Sequence, residues 1–398
     1  MAIKKYSSGQ WVDTPYRKYE TATDTITTLP KTIIGDGQNI SAYTIKGNMS
    51  QSGTPTPSDP IYPSECGEKT INMCNIVQST QLNANAGGYG TYISNNSLSV
   101  YATGTNNASG IYCQALPVAT ISGRTYTISF TPNCDNDNGL IIELGSVQKY
   151  VVFTNSERTS VKITASTNNR LVAFYGGNNI EKTITLSNIQ VEEGDVAHDY
   201  EPYGQYKLPI TLGGNNYPVY LSEPIRNIGT YVDSVPSTGT ASRIIKKLVL
   251  TGEETDWNYE SPYSRFGIPV ADMYARGTRL ETVVCSHYPC IDDGRAIGNV
   301  PDNSIYVGTD ITNKLWIKTS SYTSTTAFKS YLAQQFSSGT PVTVWYVLTT
   351  PTTESFTAPT LPTSGTAETF DVDTALKPSE VSLTYHGWHE HSDTKYTT

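Results

Sequence analysis

The sequence predicts an all-β protein of antiparallel β-sandwich modules followed by a C-terminal β-rich module with one short helix. Three observations carry this. From Cys66 to Gly204, nine short runs of strand-forming residues recur at roughly 8 to 12 residue spacing, separated by Gly, Asn and Asp. Tyr is abundant, 28 against 8 Phe and 5 Trp, which suits half-buried pleated surface better than thick apolar layers. Only 325–336 switches to a helical period.

In chain order, residues 1–64 read as an attachment segment with short strands at Thr25–Leu29 and Tyr43–Lys46. It ends in QSGTPTPSDPIYPSE, where Pro55, Pro57, Pro60 and Pro63 remove ladder donors and favour extended backbone, so the stretch reads as a stiff linker. Residues 65–205 form the sandwich, with strands expected at Gly90–Ser94, Leu98–Tyr101, Gly110–Ala115, Thr125–Thr131, Leu140–Leu144, Tyr150–Thr154, Ser160–Ala165, Arg170–Tyr175 and Thr183–Glu192. Tyr126, Ile128 and Phe130 alternate with Thr and Ser, the pattern of a strand with one buried face. Residues 206–398 form the third part. It begins with a hairpin around GGNN at 213–216 and continues with strands at Ile244–Thr251, Glu281–Ser286, Ser304–Val307 and Lys314–Lys318. In 325–336 the spacing of Ala327, Phe328, Tyr331, Leu332 and Gln335 predicts a helix capped by Thr325 or Thr326 and closed by Gly339. Strand returns at Thr340–Thr349, a Pro/Thr-rich stretch spans 351–365, and Glu380–Tyr385 closes the pattern.

Composition excludes several classes. The 398 residues carry 27 Lys+Arg against 36 Asp+Glu, a net charge of −9, which leaves no basic face for nucleic acid. The N-terminus lacks the apolar stretch of a secretory signal, and no run approaches the roughly 20 residues of a spanning helix, so the chain reads as made in a cytosol without membrane insertion. Cys66, Cys74, Cys113, Cys134, Cys285 and Cys290 are too sparse for a disulfide scaffold. Cys66 with Cys74, or Cys285 with Cys290, could close short loops, but a cytosolic origin favours free thiols.

Catalytic signatures are missing: there is no GxGxxG, P-loop, GxSxG, HExxH or EF-hand loop. The acid pairs Glu192/Glu193, Glu253/Glu254 and Asp292/Asp293 are poor glycosidase candidates, because neighbours on a strand face opposite ways. The chain therefore reads as a non-enzyme with no cofactor, and a depolymerase built from distant carboxylates is the less favoured alternative. Cys285, His287 and Cys290 lack a fourth zinc ligand. His389 and His391 sit two apart, so three extended chains around an axis could offer six nitrogens to a metal; a solvated tail is the simpler reading. Tyr89, Tyr92, Tyr112 and Tyr175 stand beside Gly- and Asn-rich stretches. There, flat rings with amides and hydroxyls at their edges could hold a sugar.

QSGTPTPSDP at 51–60 with CGE at 66–68, IQVEEGDVAHDYEPY at 189–203, YLSEPIRNIG at 220–229 and WYVLTTPTTE at 345–354 together resemble tail-fibre, baseplate and receptor-binding proteins of phages and prophages of Gram-positive bacteria. The resemblance implies a jelly roll similar to carbohydrate-binding modules in the middle segment. It also implies a virion surface protein assembled in the bacterial cytoplasm, commonly a homotrimer, whose partners are other virion proteins and a host-surface glycan. A capsid fibre or decoration protein with a purely architectural role is the alternative. The family implies no catalytic residues.

Overall fold

The computed structural model describes residues 4–7, 10–13, 24–26, 33–34, 40–75, 82–94, 96–114, 119–212, 215–274, 282–291, 299–308, 314–361, 369–370 and 379–385. Two compact units emerge: Lys69–Tyr206, and a discontinuous unit of Met1–Glu68 with Lys207–Thr398. The strand-rich reading holds throughout, and among the described residues no helix is long and apolar enough to cross a membrane.

The smaller unit is an antiparallel sandwich of the jelly-roll type. Its strands are β1 (Leu82–Asn85), β2 (Tyr89–Ser94), β3 (Ser97–Thr103), β4 (Gly110–Gln114), β5 (Thr125–Cys134), β6 (Gly139–Leu144), β7 (Val147–Val152), β8 (Thr159–Thr164), β9 (Leu171–Tyr175) and β10 (Glu181–Glu193). One sheet, here sheet A, runs β7-β6-β9-β4-β1; the other, sheet B, runs β8-β5-β10-β3-β2. Each of the nine expected strands is present, and β1 is an addition. It was missed because LNAN is short and three of its four residues are poor strand formers.

Between the sheets lie Leu98, Val100, Ile111, Ile128, Phe130, Leu140, Ile142, Phe174, Ile184 and Val191, all at most 1 % exposed. Tyr126 joins them and turns its hydroxyl to accept from the Ile121 N–H at 2.8 Å. The expected polar face of β5 is not solvated: Thr127 and Ser129 are also fully buried. Sheet B is covered there by the segment that follows β10. Asn188 takes a positive φ of 52° in a bulge opposite Ser129 and Thr131, after which Gln190 and Glu192 point out of the sheet. Glu192 accepts from the His198 backbone N–H at 3.0 Å and pairs with His198 Nδ1 at 2.6 Å. Gln190 accepts from Glu201 N–H at 2.8 Å, and Glu201 accepts from Ile71 N–H at 2.9 Å. The stretch 189–203 is thus a clasp over one face of the sandwich, and its polar strand residues are buried because they hold it.

In the larger unit, a seven-stranded sheet orders Val283–Cys285, Val342–Ser355, Thr240–Leu250, Ser234–Pro236, Ile40–Gly47, Ser379–Tyr385 and Asp24–Ile26. A four-stranded sheet orders Asn258–Glu260, Arg265–Pro269, Lys314–Lys318 and Ser304–Val307. The expected middle module, 65–205, matches the unit Lys69–Tyr206, but the expected separation of 1–64 from 206–398 is corrected, because both belong to the larger unit. The described strand Ile40–Gly47 is not part of a separate segment: it sits between Ser234–Pro236 and Ser379–Tyr385 in the middle of the sheet. Strands distant in sequence pair here because the ladder is read in space, which composition does not reveal.

The proline-rich stretch is likewise not a spacer. Ser50 bridges Ser64 and Thr56 bridges Asp59. Ile61 N–H donates to Ser286 O at 2.8 Å, the Gln51 amide to Cys285 O at 2.9 Å, and the Tyr62 hydroxyl to Pro341 O at 2.7 Å. Prolines remove donors, but the Ile61 N–H and two side-chain donors moor the loop instead. Pro351 also lies inside the strand Val342–Ser355 rather than after it. It falls in the bulge where pairing with Thr240–Leu250 jumps from Val347 to Thr352, so no ladder bond is lost.

The helix α1 spans Thr325–Ser337; Ser324, one residue before the expected cap, accepts from Ala327 N–H at 3.2 Å. Phe328 on its buried face stacks on Phe266 at 4.3 Å between centroids. YLSEPIRNIG acquires a structural role. Arg226 pairs with Glu65 and with Glu223 at 2.8 Å, the Trp345 indole donates to Glu65 at 2.9 Å, and Arg243 pairs with Glu354 at 2.5 Å. Burial acts to raise Glu65, but Arg226, the Trp345 N–H and Lys247 outweigh it and hold it below its ordinary 4.5.

Candidate functional site

While sheet B is clasped, the outward face of sheet A carries a converging set of side chains. Register places Gln148, Glu143, Ala173, Tyr112 and Asn83 in one cross-strand row, and Tyr150, Ile141, Tyr175, Gly110 and Asn85 in the next. Ala173 is fully buried beneath its neighbours. A small residue at the centre of the row lets Tyr112 and Glu143 close over it from either side.

Glu143 organises the polar side. Its Oε2 accepts from Gln148 Nε2 at 2.7 Å and from the Tyr175 hydroxyl at 3.2 Å, which leaves Oε1 unclaimed by any described residue. The Tyr175 phenol is pushed well up, first by burial and then by the Glu143 carboxylate and the Tyr112 phenol. It therefore remains a neutral donor at any physiological pH.

Tyr150 supplies the aromatic side. It is half exposed, at 51 %, and lies over two glycines: a Cβ at Gly139 would stand 2.0 Å from its hydroxyl, and one at Gly177 2.9 Å from Cε2. Missing side chains at those two positions leave room for the Cδ2, Cε2 and hydroxyl edge of the ring against backbone, while half of the residue stays exposed. The five strands of sheet A, LNAN, GIYCQ, GLIIEL, VQKYVV and LVAFY, contain one acid, Glu143, and one cation, Lys149. Lys149 stands opposite Ile142, in the register of core-facing residues, not in the rows described. The face is thus aromatic, amide- and hydroxyl-bearing, with a single carboxylate.

The four tyrosines singled out in the sequence do not meet. Tyr112 and Tyr175 share this face, on strands rather than loops, with Tyr175 only 6 % exposed. Tyr89 and Tyr92 lie on β2 of sheet B. Sequence reasoning missed Tyr150, Glu143, Gln148 and Asn83. The alternation of Gln148 and Tyr150 on β7 was the available signal, but their link to Tyr175 passes through cross-strand register. His389 and His391 lie outside the described residues, as do Asp292 and Asp293. Among the described residues there is no metal-holding group of His, Cys, Asp and Glu. His287 is fully buried, its Nδ1 2.8 Å from Ser286 Oγ, and the buried Cys285 thiol is pushed up to about 11. Glu192 is sequestered by His198 while Glu193 pairs with Arg124 on the opposite side of the strand.

No protein-family model matches the sequence, and no curated protein matches it. Among solved structures, the chain is similar to the N-terminal cellulose-binding domain of β-1,4-glucanase C from Cellulomonas fimi, at 20% identity over 28% of this chain and 89% of that one, with a TM-score of 0.20. A structure titled "CBM4 structure and function" aligns at 15% identity over 29% of this chain and 76% of that one, TM-score 0.20. The N-terminal CBM22-1-CBM22-2 tandem domain of Xyn10C from Paenibacillus barcinonensis aligns at 13% identity over 81% of this chain and 98% of that one, TM-score 0.22. The fold assigned above rests on strand order and register, and the site on its own side chains.

Proposed function

We propose that the sandwich binds a neutral polysaccharide on the outward face of sheet A, and that the chain acts by adhesion rather than catalysis. The observation that carries this is the Tyr150 ring lying over Gly139 and Gly177 beside the Glu143, Gln148, Tyr175 and Tyr112 cluster. A flat ring packs against the C–H face of a pyranose, while a carboxylate, an amide and a phenol take its hydroxyls. Absence of a cation from the two rows favours an uncharged polymer, since an anionic one would meet Glu143 without compensation. Glycoside hydrolysis requires two carboxylates about 5 to 9.5 Å apart, and Glu143 is the one acid on these five strands.

The resemblance of the stretches at 51–60, 189–203, 220–229 and 345–354 to phage tail-fibre and baseplate proteins supports placing this adhesion at a virion surface. There the partners are other virion proteins and a host-surface glycan. Weak single sites suffice in that setting, because a homotrimer repeated on a particle raises the effective concentration of each later contact. The test is native electrophoresis of the full chain in gels carrying soluble hydroxyethyl cellulose, xylan or galactomannan. Retardation that Tyr150→Ala weakens supports the reading, and unretarded migration of wild type in all three refutes it. Light scattering tests the trimer.

A further inference from the structure

We propose that the same sandwich carries a second neutral-saccharide contact at the Tyr89–Tyr101 pair on sheet B, so that one chain engages two polymer strands, one on each outer face. The proposal rests on the saccharide reading of sheet A. Tyr89 stands directly opposite Tyr101 across the β2–β3 ladder. Their rings stack at 4.8 Å between centroids with 29° between planes, and Tyr89 is 54 % exposed. Stacking holds both rings still, so little side-chain freedom is lost on binding.

The polar side repeats the chemistry of the first face. Tyr101 donates its hydroxyl to Glu181 Oε1 at 2.6 Å, and that bond raises the phenol and keeps it a donor. Thr103 and Thr105 hydroxyls lie 2.8 Å apart at the end of β3. Strands β2 and β3, YGTYIS and SLSVYAT, carry no charged residue, so nothing on them would compensate a phosphate or uronate. Size argues against a protein partner. Tyrosines bury about 150 to 250 Å² each, so the exposed parts of Tyr89 and Tyr101, even with Tyr92 and Ile93 of the same strand added, fall short of the ~800 Å² per side of a specific protein interface, whereas one or two rings are enough for a sugar. Sheets A and B pack face to face, so their outer faces look in opposite directions and one ligand cannot span both.

Full-length wild type, Tyr89→Ala, Tyr150→Ala and the double variant are compared by gel retardation in hydroxyethyl cellulose, xylan and galactomannan. Titration calorimetry then uses a hexasaccharide of the retarding polymer, and circular dichroism confirms folding of each variant. The expected result is two saccharides per chain for wild type, one for each single variant, and none for the double. One saccharide per wild-type chain, lost in Tyr150→Ala and untouched in Tyr89→Ala, overturns this proposal and leaves the sheet A reading standing. No retardation of wild type overturns both. Loss of self-association by light scattering in Tyr89→Ala, with polysaccharide binding unchanged, assigns the pair to contact between copies and also overturns it.

Discussion

Replacing Gly139 by Ala should disable the sheet A face without touching any side chain on it. The new Cβ would stand 2.0 Å from the Tyr150 hydroxyl and 2.5 Å from Cζ, closer than any real contact, while the backbone at Gly139 is not in the left-handed region and accepts Ala. The end of the side chain yields, so Tyr150 swings away. The ring is 51 % exposed. With about 200 Å² for a tyrosine, roughly 100 Å² of contact is lost, which at about 25 cal/mol per Å² costs about 2.5 kcal/mol. Loss of unfolded-state freedom at Gly139 returns about 0.4 to 1 kcal/mol, leaving the sandwich about 1.5 to 2 kcal/mol less stable. Affinity at the sheet A face should fall about tenfold or more, the same loss expected of Tyr150→Ala, since 1.4 kcal/mol is a factor of ten. The double variant Gly139→Ala/Tyr150→Ala should bind no worse than either single one. Calorimetric affinities of the four proteins form the cycle, and additive losses would refute the idea that Gly139 acts through the ring.

Arg226→Ala leaves Glu65 buried without its main partner, and urea unfolding of the larger unit should show a loss of about 3 to 5 kcal/mol. Glu65 and Glu354 are both held below their ordinary 4.5 when folded. Their contribution is therefore complete above about 4.5 and lost as pH falls through the depressed folded values; an acid titration of melting temperature should show this, and Arg226→Met should flatten it. Glu192→Ala strips the His198 backbone N–H and the Gln190 amide of their acceptor, so the sandwich should lose about 2 to 3 kcal/mol by thermal unfolding. Cys113 and Cys285 are buried with thiols pushed up to about 12 and about 11. Iodoacetamide at pH 8 should spare both in the native chain and label them in urea.

Strand existence was legible because it depends on local pattern. All nine expected sandwich strands and α1 have a counterpart overlapping the expected range, the one expected at Tyr150–Thr154 running instead over Val147–Val152. The polar residues were harder to read. Gln190 and Glu192 alternate with Ile189 and Val191 as a solvated face would, yet they are buried, because the chain after β10 folds back over them. The four tyrosines near Gly and Asn looked equivalent in one dimension, whereas pairing separates them onto two sheets.

From the chain alone came the β class, the alternation that fills the core and the helix near 325–336, since each is a property of neighbours within a dozen residues. Tertiary structure decided which residues share a face. Tyr175 and Glu143 hydrogen-bond across 32 positions of sequence because ladders bring their strands and that of Tyr150 side by side, and Ile40–Gly47 joins a sheet completed by Ser379–Tyr385. Register alternates side chains with a period of two, so a shift of one residue in any pairing would turn Tyr150 or Glu143 to the opposite face of its strand. That choice is made by burying the whole core at once, and no local segment contains it.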